Sequence, residues 1–286
     1  MTAFFLAAVL AAPAAAASRL YETELARVAQ QGYKPEAAAE AAVSRGILRA
    51  TVFRKGGGSQ RLYVTLETAG QIKTLAMDLG GAQTLTLDAV HSEGTITDLG
   101  RDGGRVIAYH LGAPATGQET LVVMRWASNR LDKTARLPGG RFEDVDGDGK
   151  IEAVTRERPL GSLFTIACQS FHTMAQAAWR SDVYQWRNGA LVKASESYKP
   201  YFDRRIAEGR AKVAAIDARS TEDYGGFLGL TLSLYFDYAA SGRSRQGWGE
   251  FKKLYPVRAS DPGPVKKCLT QMEAELRDRL DIPNGW

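Results

Sequence analysis

The residue pattern with the most definite chemistry is Asp144-Val145-Asp146-Gly147-Asp148-Gly149-Lys150-Ile151-Glu152. Three aspartates alternate, two glycines let the backbone turn between them, and a fourth carboxylate follows at the ninth position. Carboxylates so close together repel one another, and a cation is the simplest remedy. Calcium takes six to eight oxygens in a flexible shell, whereas magnesium demands a tighter octahedron and keeps its waters. The expected cofactor is therefore Ca2+. Its expected ligands are the side chains of Asp144, Asp146, Asp148 and Glu152 and the backbone carbonyl of Lys150. The competing reading is a polar Asp-Gly turn that binds no metal.

The loop is not an EF-hand, which needs a bidentate Glu at its twelfth position, where this chain has Thr155. Its flanks, Arg141-Phe142-Glu143 and Ile151-Glu152-Ala153-Val154, read as strands. The run from Phe142 to Val154 resembles the calcium-loop hairpin of FG-GAP or VCBS repeats, the units of integrin-like β-propellers. That resemblance implies a loop joining two strands of one blade, with Asp144, Asp146, Asp148, Glu152 and the Lys150 backbone as ligands. Two departures stand out: Glu occupies the ninth position where Asp is commoner, and the chain holds one copy of the motif. A full propeller of four to eight blades is therefore not expected.

The elements that must position this loop follow from periodicity. Residues 20–31 and 35–44 read as two short helices, the first with Leu20, Leu25 and Val28 at helical spacing, the second rich in Ala. Gly46 is the expected stop. From 47 to about 157 the texture changes to short β-branched and aromatic runs. Segments 50–53, 61–67, 72–77, 84–89, 94–97, 105–110 and 119–126 alternate as half-buried strands, and Gly56-Gly57-Gly58, Gly80-Gly81 and Gly103-Gly104 mark turns. A hairpin is expected over 182–195, turning at Asn188-Gly189. The stretch 162–179 reads as a buried strand running into a short helix.

Beyond Lys199 the pattern is helical: 201–218, then a helical hairpin of 221–240 and 246–255 turning at Ser241-Gly242, then 264–280. In the hairpin, Phe227, Leu230, Leu234 and Tyr238 are expected to face Trp248, Phe251 and Tyr255. The fold class is α+β, an antiparallel β-rich N-terminal and central region built as a sandwich or propeller-blade-like sheet, followed by a helical C-terminal region. The expected division is a signal peptide at 1–17, a helical segment at 18–46, a β-rich domain at 47–198 and a helical region at 199–286.

The N-terminus carries the export expectation. Residues 4–12 form an uncharged apolar run too short to span a bilayer, and Ala15 and Ala17 fit a signal-peptidase site. The expected location is periplasmic or extracellular, with no transmembrane span in the mature chain. Cys168 and Cys268 can then pair as a disulfide or remain two buried thiols.

A net charge of +5 spread over separated basic doublets is a solvated surface, not a nucleic-acid track. His91, His110 and His172 lack zinc-ligand spacing, and neither a serine-hydrolase elbow nor a phosphate loop is present. Asp182, Asp203, Glu143 and Glu157 have no spacing that singles them out for acid–base work. Trp126, Trp179, Trp186 and Trp248 read as core in preference to a glycan platform. The expected function is an exported calcium-binding structural or binding protein of the cell envelope, with a protein or glycan partner. The alternative is an exported hydrolase in which calcium is only structural.

Overall fold

The computed structural model describes residues 18–79, 84–90, 94–113, 118–161, 164–168, 171–175, 178–216, 224–254, 259–261 and 263–286. The expected signal peptide at 1–17 lies outside them. Ser18 caps helix α1 (Arg19–Gln30): its hydroxyl accepts the amide of Tyr21 at 3.1 Å, a contact worth about 1 kcal/mol.

Strands β1 (Tyr33–Val43), β2 (Gly46–Lys55), β3 (Gln60–Thr68) and β4 (Gln71–Leu79) form an antiparallel meander in that order. The helix expected at 35–44 is thus a strand. Its alanines favour a helix in isolation, but β1 pairs with β2 along its length and sets Ala39, Ala41 and Val43 against the core at period two. Pro35, which cannot donate to a ladder, sits beside a register shift on this edge strand. Gly46 closes the β1–β2 turn at φ +153, where a Cβ would lie 1.8 Å from the carbonyl oxygen of Glu67.

The second sheet joins β5 (Thr84–Leu87), β7 (Arg105–Ala113), β8 (Gln118–Ala127) and β9 (Arg130–Pro138), with β6 (Ile96–Thr97) also on β7. Strand β9 has no counterpart in the sequence reading, because this edge strand is mostly polar and half exposed. The third sheet runs β10 (Arg141–Glu143), β11 (Glu152–Val154), β14 (Val183–Arg187), β15 (Ala190–Lys193). Asn188 and Gly189 both adopt positive φ in its tight turn, as Asn-Gly hairpins require. The expected strands up to 126 fall on β2 to β8, while the Gly80-Gly81 turn lies outside the described residues.

Alternation makes these sheets a stack. Leu48, Ala50, Leu62 and Val64 of the first sheet meet Ile107, Tyr109, Val122 and Met124 of the second. The opposite face of the second, with Val106, Ala108, Leu121 and Val123, packs on Ile151 and Ala153 of the third. Val154 and Val183, on the far side of the third sheet, meet Tyr198, Tyr201, Phe202 and Ala240 of the helical layer.

That layer comprises α2 (Lys199–Ala214), α3 (Tyr224–Ala240), α4 (Ser244–Leu254) and α5 (Gly263–Arg279). The molecule is α+β, with antiparallel sheets first and helices last. Helix α3 buries more than one side. Leu228, Leu232, Tyr235 and Phe236 face Trp248 and Phe251, while Leu234 and Tyr238 turn to Ile206 of α2. The expected face is therefore corrected by about one residue; Phe227 and Tyr255 have side chains outside the described set.

Strands β12 (Phe164–Cys168) and β13 (Phe171–Ala175) pair antiparallel, in place of a strand leading to a helix. Cys268 is buried in the helical core. The two alternatives for Cys168 and Cys268, a bridge or separate thiols, fall on Cys168, whose side chain lies outside the described residues. No helix among the described residues is long and apolar enough to cross a membrane.

Candidate metal centre

The acidic loop is the β10–β11 connection, as its flanks required: Arg141, Phe142 and Glu143 pair with Val154, Ala153 and Glu152. Strand alternation decides what each flank residue does. Ala153 points into the stack of sheets, so Glu152 and Val154 point to the helical layer. Val145, inside the loop, drives its side chain into the same apolar cluster and anchors the bend from below.

The bend itself is held by its own carboxylates. Asp144 accepts the amides of Gly147 on Oδ1 at 2.7 Å and of Gly149 on Oδ2 at 3.0 Å. Gly147 and Gly149 both have φ near +80, with open space where a Cβ would stand. Asp146 Oδ1 accepts the Asp148 amide at 3.2 Å. Each of these oxygens keeps a lone pair free, since a carboxylate offers about four acceptor sites.

Carboxylate oxygens of Asp144, Asp146 and Glu152 lie within 4.8 Å of one another. Calcium–oxygen distances of 2.3–2.6 Å place opposite ligands about 5 Å apart, so one ion fits among the three. The structure thus brings together three of the four expected carboxylates. Asp148 stands apart, its carboxylate held by the Lys150 ammonium at 2.5 Å and the Lys150 amide at 2.7 Å. That ammonium holds the Asp148 carboxyl below its usual range.

Glu152 is the unusual member. It is 1% exposed, and burial, together with the negative charges of Asp146 and Asp148, raises its pKa. Opposing this, Val145 N–H donates to Oε2 at 3.3 Å and the Tyr198 hydroxyl also donates to the carboxylate. Burial and the same carboxylates push the Tyr198 hydroxyl up as well. Arg204 of α2 reaches the loop only through a bond to the Val145 carbonyl, at 2.9 Å. Tyr198 and Arg204 are contributions the sequence reading missed. Both lie some fifty residues downstream, and only the packing of α2 on the third sheet brings them to the loop.

Each of the other carboxylates considered from the sequence has a basic partner, and Glu157 and Asp182 share Arg180. Glu143 pairs with Arg141, Asp203 with Arg243, Glu157 with Arg180, and Asp182 with Lys193. His110 lies against Asp88, 3.2 Å from its carboxylate; His91 and the side chain of His172 fall outside the described residues. Trp126 and Trp248 are buried in apolar clusters. No family model, curated protein or solved structure matches the chain.

Proposed function

We propose that the chain is an exported protein of the cell envelope in which calcium, bound in loop 144–152, fixes the third sheet to the helical layer for a structural or binding role. The observation that carries this reading is the convergence of Asp144, Asp146 and Glu152 on one point, with Glu152 almost wholly buried. A buried carboxylate beside two others is unfavourable unless a cation joins it. Calcium suits the site better than magnesium, because an irregular bend of side-chain and backbone oxygens matches its flexible shell. The Lys150 carbonyl and water would complete the coordination, and Asp148 joins by releasing the Lys150 ammonium. The likeness to FG-GAP or VCBS hairpins supports the same ligand set and rests on residues 142–154 alone.

Calorimetry on residues 18–286 tests the proposal. Calcium should bind with measurable heat and raise the melting temperature, chelator should reverse the rise, and Asp146→Ala should abolish both effects. Absence of binding, with a melting temperature indifferent to chelator, would sink it.

A further inference from the structure

A second polar site lies where the chain leaves β11. Alternation continues beyond that strand: Thr155 is buried, Glu157 pairs with Arg180 across an isolated bridge, and the intervening Arg156, exposed, and Arg158, half-buried, take the other side. Both guanidiniums lie on one indole, with their central carbons 4.2 and 4.3 Å from the ring centroid of Trp179. Trp179 is itself fixed, its backbone N–H donating to the Ser233 hydroxyl of α3 at 2.9 Å. These three residues, with Glu119, Thr120, Pro138, Gly139 and Glu157, line a cavity of about 420 Å3.

The site carries uncompensated positive charge. Among the described residues neither Arg156 nor Arg158 has a carboxylate partner, and Arg158 Nε is buried without a hydrogen-bond acceptor. The two acids on the wall do not neutralise them. Glu157 is committed to Arg180, and Glu119 is two-thirds exposed and nearest to His110. Burial and the neighbouring charges of Arg205, Arg141 and Arg158 lower the basicity of Arg156, as expected where like charges crowd. Cation–π contact with Trp179 orients the two forks without cancelling their charge.

We propose that Arg156 and Arg158, positioned by Trp179, bind the phosphoryl dianion of a small phosphate or phosphate ester. A guanidinium presents a planar fork matched to tetrahedral oxyanions. Two unpaired forks call for two negative charges, which a phosphoryl group carries near neutral pH and a single carboxylate does not. The cavity is of ligand size, larger than a bare phosphate needs.

The test is titration of the full chain, in calcium-free buffer, with inorganic phosphate and with glycerol phosphate, against acetate and chloride at equal ionic strength, read by calorimetry and tryptophan fluorescence. Both phosphates should bind saturably and acetate should not. Tighter binding of glycerol phosphate would identify an ester as the ligand class, and equal binding the free ion. Arg156→Gln and Arg158→Gln should each weaken phosphate by about tenfold or more, the loss of one charge-assisted hydrogen bond, while Arg187→Gln on the distant hairpin turn should not. Should the glutamine variants fail to fold, Arg156→Lys keeps the charge, loses the fork, and should still weaken binding. Phosphate binding indistinguishable from chloride, or unchanged in the folded Arg156 and Arg158 variants, overturns the assignment.

Discussion

Loop 98–105 and loop 144–152 line a common cavity of about 190 Å3 and are written in the same vocabulary of aspartate and glycine. They also use the same backbone device. Asp98 accepts the amides of Asp102 and Gly103 at 3.0 and 2.8 Å, much as Asp144 accepts those of Gly147 and Gly149. They part company over charge. In the first loop Asp98 lies 3.6 Å from Arg105, and Asp102 is bound by Arg125 at 2.8 Å. In the second, four carboxylates face one lysine, a surplus of three negative charges, and Lys150 reaches only Asp148. Composition alone makes both loops turns; only the one left unbalanced by protein cations has reason to take one from solution.

The largest expected effect breaks the comparison if it fails. Calcium at a hundred times its dissociation constant should stabilise the protein by about 2.7 kcal/mol, a rise of roughly 5 °C for a chain of this size. Thermal melts with calcium and with chelator read this directly. An indifferent melting temperature would mean that the acidic loop is as self-sufficient as its neighbour.

Asp98→Ala sharpens the contrast from the other side. It hands two exposed loop amides to water and should cost about 1 kcal/mol, while leaving the calcium-dependent shift of the parent intact. A reduced calcium shift in this variant would show that the loops act as one site.

Glu152→Gln is expected to act in opposite directions with and without metal. Removing a buried charge beside Asp146 and Asp148 should stabilise the metal-free protein by on the order of 1 kcal/mol and so raise its melting temperature. It should also weaken calcium binding, because a neutral amide oxygen replaces a charged ligand. Parallel melts and calcium titrations separate the two effects, and a variant destabilised in both states would assign Glu152 a packing role alone.

How much of this was legible in the sequence depended on whether local chemistry and tertiary packing agreed. At Asn188-Gly189 they agree, since the turn type demands those residues and the strands on either side alternate. They disagree in β1, where an alanine run prefers a helix until β2 supplies a ladder. In β9 the sequence is nearly silent, because an exposed edge needs few apolar residues. The candidate metal centre divides the same way. Asp144, Asp146 and Glu152 were visible because their spacing follows from one bend, whereas Tyr198 and Arg204 arrive by packing. Asp148 shows what spacing alone omits: alternation places it among the expected ligands, and an adjacent lysine holds it apart from the other three. Arg156 and Arg158 carry a faint signal, two arginines at strand period, which means little until both are seen in contact with Trp179.

The smallest expected effect concerns a place where charge is balanced only conditionally. His110 lies 3.2 Å from Asp88 and 3.9 Å from Glu119, and the hydrogen bond to Asp88 raises its pKa against the opposing effect of burial. A base with a raised folded-state pKa binds a proton more tightly in the native protein than in the unfolded chain. Its contribution is therefore fully present below the unfolded pKa near 6.5 and is lost as pH rises through the folded value. Urea unfolding at several pH values should show stability declining across that window by less than about 1 kcal/mol, as for a partly exposed ion pair. His110→Gln should flatten that decline without altering the calcium shift. A decline of the same size in the variant would place the titrating group elsewhere, and a changed calcium shift would tie this face of the second sheet to the acidic loop.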